Sequence, residues 1–372
     1  MSTIFYSLSG EGHGHATRAR TLVEALRDDY RIVLYAPDQA YAFLTGVYDG
    51  AEVEVRYLPG IPHRYKADHS FDAPRTALTA LRFFTDLPTL LRRLQREIER
   101  DGPSLVITDF EPALPRAAQR CGVPFVSLTH QHVLLVSDFG ALPRRLRRYT
   151  SIMAMIVGAY YRGQAETLVS SFYFPPLKPA WRAARQVGVL LRPEILRAAP
   201  EDGDQVVAYL RRRVSPNVLD ALAACGCAVR VYGLGTHPSR GPLTFFDIDP
   251  YRFVEDLARC RALICTAGNQ LVGEALFLEK PVLAMPEPGS HEQTVNAHFL
   301  EQSGAGLSVE MPRLAPADVR AFLDCRAVFR SHIDRECLCG NAATEAAIRR
   351  RLPQRRGLAR PTFEEATMLA GA

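Results

Sequence analysis

Apolar and polar positions follow two rhythms along the chain. Residues 3–8 form a largely apolar, β-prone run that breaks into Gly10-Glu11-Gly12-His13-Gly14-His15. Ala16, Ala19, Leu22, Val23 and Leu26 then recur at helical spacing, and a second β-prone run, 31–35, ends at Pro37-Asp38. Strand, glycine loop, helix and strand predict the opening of a doubly wound α/β domain. A Leu- and Arg-rich stretch at 76–100 reads as a long helix, and short β-rich runs follow at 104–108 and 124–128. Between residues 175 and 193 the pattern loosens around Pro175, Pro176, Pro179 and Pro193, as expected of an inter-domain connection. A second alternating series then begins, with strands expected at 205–210, 228–232, 243–248, 262–266 and 281–285. The pattern therefore predicts two Rossmann-like domains, residues 1–186 and 187–348, and a loosely ordered basic tail, 349–372. No short repeat is visible.

Composition narrows the class without changing that picture. The 372 residues are 47% hydrophobic and 23% charged, which suits two packed domains and excludes a disordered, collagen-like or disulfide-knotted chain. A net charge of +5 is too mild to point to nucleic acid. All of the 45 basic residues except Lys66, Lys178 and Lys280 are arginine, the better phosphate clamp. Of eight cysteines, Cys225 and Cys227, and Cys337 and Cys339, are spaced C-x-C with no His ladder beside them. Reduced thiols and no metal site are expected. The start of the chain has no basic-then-apolar leader. The apolar run 149–161 is shorter than the roughly 20 residues that a bilayer span requires. A cytoplasmic protein is expected, either soluble or peripheral at the inner membrane face. Arg144, Arg145, Arg147 and Arg148 precede the apolar run, a pattern shared by a core helix with a solvated end and a helix docked on anionic lipid.

Three stretches carry candidate chemistry. The glycines at 10–14 let the backbone approach a ligand, and the helix that follows presents its positive end. A dinucleotide fingerprint would place a third glycine where His15 stands. A histidine in the first turn meets a dipole that disfavours imidazolium, so His15 is a candidate general base and His13 a supporting residue. The second stretch, Thr108-Asp109-Phe110-Glu111-Pro112, closes a predicted strand. Either Asp109 or Glu111 could accept the second N–H of His15; Asp109 could equally cap a helix. His130 and His132 end the next strand at the same edge, where they would line a pocket or bond within the core. The third stretch, 265–297, places the N–H groups of Gly268, Asn269 and Gln270 at a helix start suited to a diphosphate. Glu274, one turn on, is a candidate for a ribose diol, and Glu292 and Gln293 for sugar hydroxyls.

This third stretch resembles the donor-site signature of nucleotide-sugar glycosyltransferases of the GT-B fold, including the peptidoglycan lipid-precursor N-acetylglucosaminyltransferase and the plant-type UDP-sugar transferases. The matching parts are Gly268 with Glu274-Ala275-Leu276, the strand Pro281-Val282-Leu283 and the pair Glu292-Gln293. Gly14-His15 is similar to the Gly-His of those families, whose histidine is the catalytic base, and Asp109 to the aspartate that pairs with it. The front loop with Asp109-Phe110-Glu111-Pro112 resembles a bacterial and archaeal branch. The resemblance spans about residues 1–330 and implies an acceptor domain and a donor domain facing each other across a cleft. It implies an inverting, metal-independent glycosyltransferase with no cofactor, using a UDP-sugar and a hydroxyl-bearing acceptor. Thr266 departs from the plant-type histidine, and Arg211-Arg212-Arg213 replaces a Gly-Ser-Gln-Gly loop. Arg213 is accordingly a candidate diphosphate ligand, and Ile248, beside Asp247, a candidate for the uracil pocket. A nucleotide-sugar 2-epimerase, a non-catalytic nucleotide-sugar or lipid-binding protein and a dinucleotide oxidoreductase using Asp38 are the competing readings.

Overall fold

Short runs rich in Val, Ile, Leu and aromatic residues assemble two wholly parallel sheets, each with helices between its strands. The computed structural model describes residues 1–10, 13–61, 73–211 and 214–353. The chain divides into two units, Met1–Leu190 together with the segment from Gly340, and Leu191–Cys339.

The first sheet contains β1 (Thr3–Leu8), β2 (Arg31–Ala36), β3 (Glu54–Tyr57), β4 (Pro103–Asp109), β5 (Phe125–Leu128), β6 (Glu166–Ser170) and β7 (Arg185–Val187). Their order is β3-β2-β1-β4-β5-β6-β7. Central strand β1 is buried along its whole length, as a parallel strand covered on both faces must be. Ile4, Tyr6 and Leu8 join Leu22, Val23 and Leu26 of the helix His13–Leu26 in one core. Phe5 faces the other way, with Leu87, Leu91, Leu94 and Ile98 of the helix Ala73–Asp101. Period-two alternation in the strand and a stripe three to four residues apart on each helix account for both contacts.

Several expectations need correction here. Strands β3, β6 and β7 are absent from the sequence reading, and β7 lies inside the stretch expected to connect the domains. The crossing to the second unit follows Leu190, inside that stretch but beyond the boundary expected after residue 186. The helix Asn341–Arg349, expected in the second domain, belongs to the first unit, where Ala347 and Ile348 enter the core beside Leu190. Gly340 permits this return: its N–H donates to the Val189 carbonyl, and a Cβ there would run into the Gly188 carbonyl.

The second unit contains β8 (Val206–Tyr209), β9 (Val229–Tyr232), β10 (Leu243–Phe246), β11 (Ala262–Cys265), β12 (Val282–Ala284) and β13 (Gly306–Ser308), ordered β10-β9-β8-β11-β12-β13. Five of these strands match expected runs; β13 is new. Both sheets thus repeat one winding, reversing direction between β1 and β4 in the first and between β8 and β11 in the second. In such sheets ligands meet the carboxyl ends of the strands flanking the reversal. Just beyond the fourth strand of each sheet a residue other than glycine has left-handed backbone: Phe110 follows β4 directly at φ 57°, and Ala267 lies two residues past β11 at φ 62°. Left-handed backbone in a residue with a side chain is costly, and here it marks the reversal point of both sheets.

Candidate active site

The register of the first sheet pairs Leu8 with Asp109, and the Ser9 N–H donates to the Asp109 carbonyl at 3.0 Å. The loop leaving β1 is therefore held beside the turn leaving β4. His15 lies in the first turn of the helix His13–Leu26, and Arg18 is three residues further along the same face. His15 Nδ1 lies 2.9 Å from Asp109 Oδ2. Arg18 Nη1 donates to the same oxygen at 2.6 Å. The imidazole contact is at ion-pair distance but is not aligned as a hydrogen bond. Asp109 is fully buried, whereas 10% of the His15 side chain is exposed. Burial alone would push the Asp109 carboxyl up; Arg18, and after it His15, outweigh that and hold it below the usual carboxylate range.

The remaining candidates of this unit turn inward. Glu111 accepts the N–H groups of Ala113 at 2.6 Å and Leu114 at 2.9 Å, so it caps the helix Ala113–Arg120 instead of pairing with His15. Burial raises its carboxyl to about 6. His132 Nδ1 meets Ser127 Oγ at 3.0 Å, and that hydroxyl meets Tyr161 at 3.1 Å. Burial pushes the His132 imidazole down to about 4, against the opposing pull of Asp109. His130 is 2% exposed and packs edge-on against Tyr173. Glu111, His130 and His132 are thus all buried, and for the two histidines bonding within the core was one of the two expected placements. His13 opens its helix, and its side chain lies outside the described residues, as does Arg213.

In the second unit, β11 ends at Cys265, and Thr266, Ala267 and Gly268 lead into the helix Asn269–Phe277. Gly268 occupies the N-cap position of this helix, so the positive end of the helix dipole lies at this turn. Asn296 Nδ2 donates to the Ala267 carbonyl at 3.0 Å, which fixes the left-handed turn. Glu274 is 2% exposed and heavily engaged: Arg192 donates to its two oxygens at 3.2 and 2.8 Å, and Gln270 Nε2 donates at 3.1 Å. A carboxylate offers about four lone-pair positions, and these donors take three of them among the described residues. Gln293 is likewise engaged, accepting the Glu287 N–H at 2.7 Å and donating to the Glu287 carboxylate at 3.1 Å. That exchange pins the loop between β12 and the helix His291–Ser303. Glu292, half-buried in the first turn of the same helix, has no hydrogen bond or ion pair among the described residues. Ile248 is 46% exposed, between β10 and the helix Pro250–Ala258.

The sequence model described as glycosyl transferase family 1 matches residues 2–326. The chain belongs to this family. It is a glycosyltransferase with the expected GT-B fold. Among solved structures, it is similar to the calicheamicin glycosyltransferase CalG4, at 18% identity over 94% of this chain and 98% of that one, with a TM-score of 0.65. It is also similar to LpCGTa in complex with UDP, at 16% identity over 94% and 99%, with a TM-score of 0.67. MurG of Acinetobacter baumannii aligns at 14% identity over 94% and 100%, with a TM-score of 0.62. Comparison with curated protein sequences gives no significant match.

For a glycosyltransferase of this family, three residues stand out that the sequence reading passed over. Arg18 shares the buried aspartate, and its spacing of three from His15 was the available signal. Arg192 and Glu287 engage Glu274 and Gln293 from distant or looped positions, where no spacing rule reaches.

Proposed function

We propose that this glycosyltransferase is inverting and metal-independent, and that it transfers a sugar from a UDP-sugar to an acceptor hydroxyl. The observation that carries the reading is the contact of partly exposed His15 with fully buried Asp109 at the reversal point of the first sheet. In the proposed reaction His15 takes the acceptor proton while the acceptor oxygen bonds to the anomeric carbon. The bond from that carbon to the diphosphate breaks on the opposite face, inverting the configuration. Asp109 then stabilises the imidazolium. A small turn of the ring brings Nδ1 into line with Asp109, since catalytic hydrogen bonds are often loose before substrate binds.

The second unit supplies the donor side of this proposal. N–H groups at Gly268, Asn269 and Gln270, with Arg213, stabilise the departing diphosphate. Glu274 accepts a ribose hydroxyl, and Glu292 a sugar hydroxyl. Gln293 shapes the loop beside it, and Ile248 offers an apolar surface for the base. The structure of LpCGTa is a complex with UDP, which favours the same nucleotide here. Calorimetric titration with UDP in the presence of EDTA tests the donor half. Saturable UDP binding without a divalent cation, and none by NAD or NADP, is expected. A strict need for the cation contradicts the reading. UDP release that requires an acceptor separates this reaction from a 2-epimerase.

One surface favours a further element of the proposal, peripheral contact with a membrane. On the helix Arg144–Tyr160, Ile152, Met155 and Ile156 are 45, 69 and 44% exposed, following exposed Arg144, Arg145, Arg147 and Arg148. No helix among the described residues is long and apolar enough to cross a membrane. Apolar side chains beside arginines suit shallow docking on anionic lipid at the cytoplasmic face. Flotation with anionic vesicles should be salt-sensitive and lost when the four arginines become glutamine. No flotation at low salt assigns the enzyme to a soluble acceptor.

A further inference from the structure

Cys225-Gly226-Cys227 forms the turn between the helix Pro216–Ala223 and β9, at the amino ends of the strands and thus at the sheet edge opposite Gly268. Gly226 is left-handed at φ 86°, a conformation that a side chain would resist. The resulting reversal brings the two sulfurs to 3.4 Å. Cys225 is buried, Cys227 is partly exposed, and the residues around them (Ala224, Gly226 and Ala228) are exposed. Hydrogen bonding from Cys227 holds the Cys225 thiol below the usual cysteine value, with the Arg261 cation assisting, while the Cys227 thiol is held up by its partner. Arg261, immediately before β11, keeps a buried Nε with no hydrogen-bond partner among the described residues. No third ligating side chain joins the pair among those residues, so the geometry lacks the denticity of a metal centre.

Four other thiols contrast with Cys225. Cys260 and Cys265 are fully buried and pushed up to about 12 by burial. Cys121 and Cys337 are also raised by burial.

We propose that Cys225 and Cys227 form a redox-active dithiol site that exchanges with small disulfides and closes to an intramolecular disulfide. The proton that the pair shares rests on Cys227, beside the Cys225 thiolate. Its transfer across the contact to Cys225 turns the more accessible Cys227 into the thiolate, which bonds to one sulfur of a small disulfide and expels the other as a thiolate, leaving a mixed disulfide. Cys225 then loses its proton, attacks the Cys227 sulfur and expels the second thiolate. Two protein thiols are oxidised, one disulfide is reduced to two thiols, and the protons pass to the products. The sulfurs must close from contact to the bonded length of about 2.05 Å, which side-chain rotation about a glycine-centred turn allows.

The test treats the full chain with oxidised glutathione, quenches with acid and an alkylating maleimide, and maps peptides by mass spectrometry. The proposal expects the peptide carrying both cysteines to lose two hydrogens and retain no glutathione, about tenfold faster than Cys337 acquires an adduct. Cys225→Ser and Cys227→Ser, checked for unchanged melting, should each trap glutathione on the remaining sulfur. A stable glutathione adduct on the wild-type pair, or reaction no faster than that of Cys337, overturns the proposal. The wild-type map decides the question even where a variant fails to fold.

Discussion

His15 and Arg18 share one oxygen of the buried Asp109 carboxylate. Tyr6, Tyr161 and His132 also feel the Asp109 charge, but burial keeps the two phenols protonated and the His132 ring neutral near pH 7. Arg18 is therefore the cation that competes with protonated His15 for Asp109. Removing it in Arg18→Gln leaves Asp109 to stabilise imidazolium alone, and the acid limb of kcat/KM should move up by about one pH unit. Arg18→Lys should leave the limb nearly in place. A limb unmoved in Arg18→Gln contradicts this positioning role, whatever fraction of the variant is folded. Glu111 gives a second pH signature. Its folded carboxyl is raised to about 6 from 4.5, so the native state binds more protons between those values. The contribution is fully present below about pH 4.5 and lost as pH rises through 6, worth about 2 kcal/mol. The stability of wild type relative to Glu111→Gln should fall by that amount from pH 4 to 7 in urea titrations. A constant difference would mean that Glu111 does not titrate there.

At the scale of elements, the turn after β11 combines strain with precision. Ala267 is fully buried at φ 62°, and its carbonyl is held by Asn296. Ala267→Gly relieves the backbone while losing one buried methyl, so stability should change by less than about 1 kcal/mol. Ala267→Val adds a β-branched side chain to left-handed backbone and should cost on the order of 2 kcal/mol or more. Equal urea midpoints for the two variants would show that the turn carries no strain. Elements of this kind were unevenly legible in the sequence. The strands of the second unit from β8 to β12 announced themselves because each is an apolar run between loop residues. By contrast, β6 is buried throughout yet contains Glu166, Thr167 and Ser170, with Arg351 pairing to Glu166 from the returning segment. Strand β3 is an edge whose Glu54 and Arg56 serve an ion-pair cluster with Asp101, and β7 has three residues, two of them polar. His15 and Asp109 were legible because each closes or follows a central strand. The engagement of Gln293 by Glu287 was not, since a loop must fold before the two meet.

At the scale of the whole molecule, arginine content is a weak guide to phosphate binding. Arg18, Arg56, Arg192, Arg230 and Arg349 are all spent on internal carboxylates. The chain enters the second unit after Leu190 and returns at Gly340, so one polypeptide builds two sheets of the same winding. The proposed chemistry divides along that line, with the base in the first unit and the nucleotide on the second. The division makes the two halves separable by one residue. Steady-state turnover of His15→Ala should fall about a hundredfold or more, as loss of a general base requires. Its UDP dissociation constant, measured by calorimetry on the same preparation, should stay within about twofold of wild type, because a base on the acceptor side adds nothing to nucleotide binding. Near-normal turnover in His15→Ala, or a turnover loss matched by an equal loss of UDP affinity, would contradict the assignment of His15 as the base of inverting transfer.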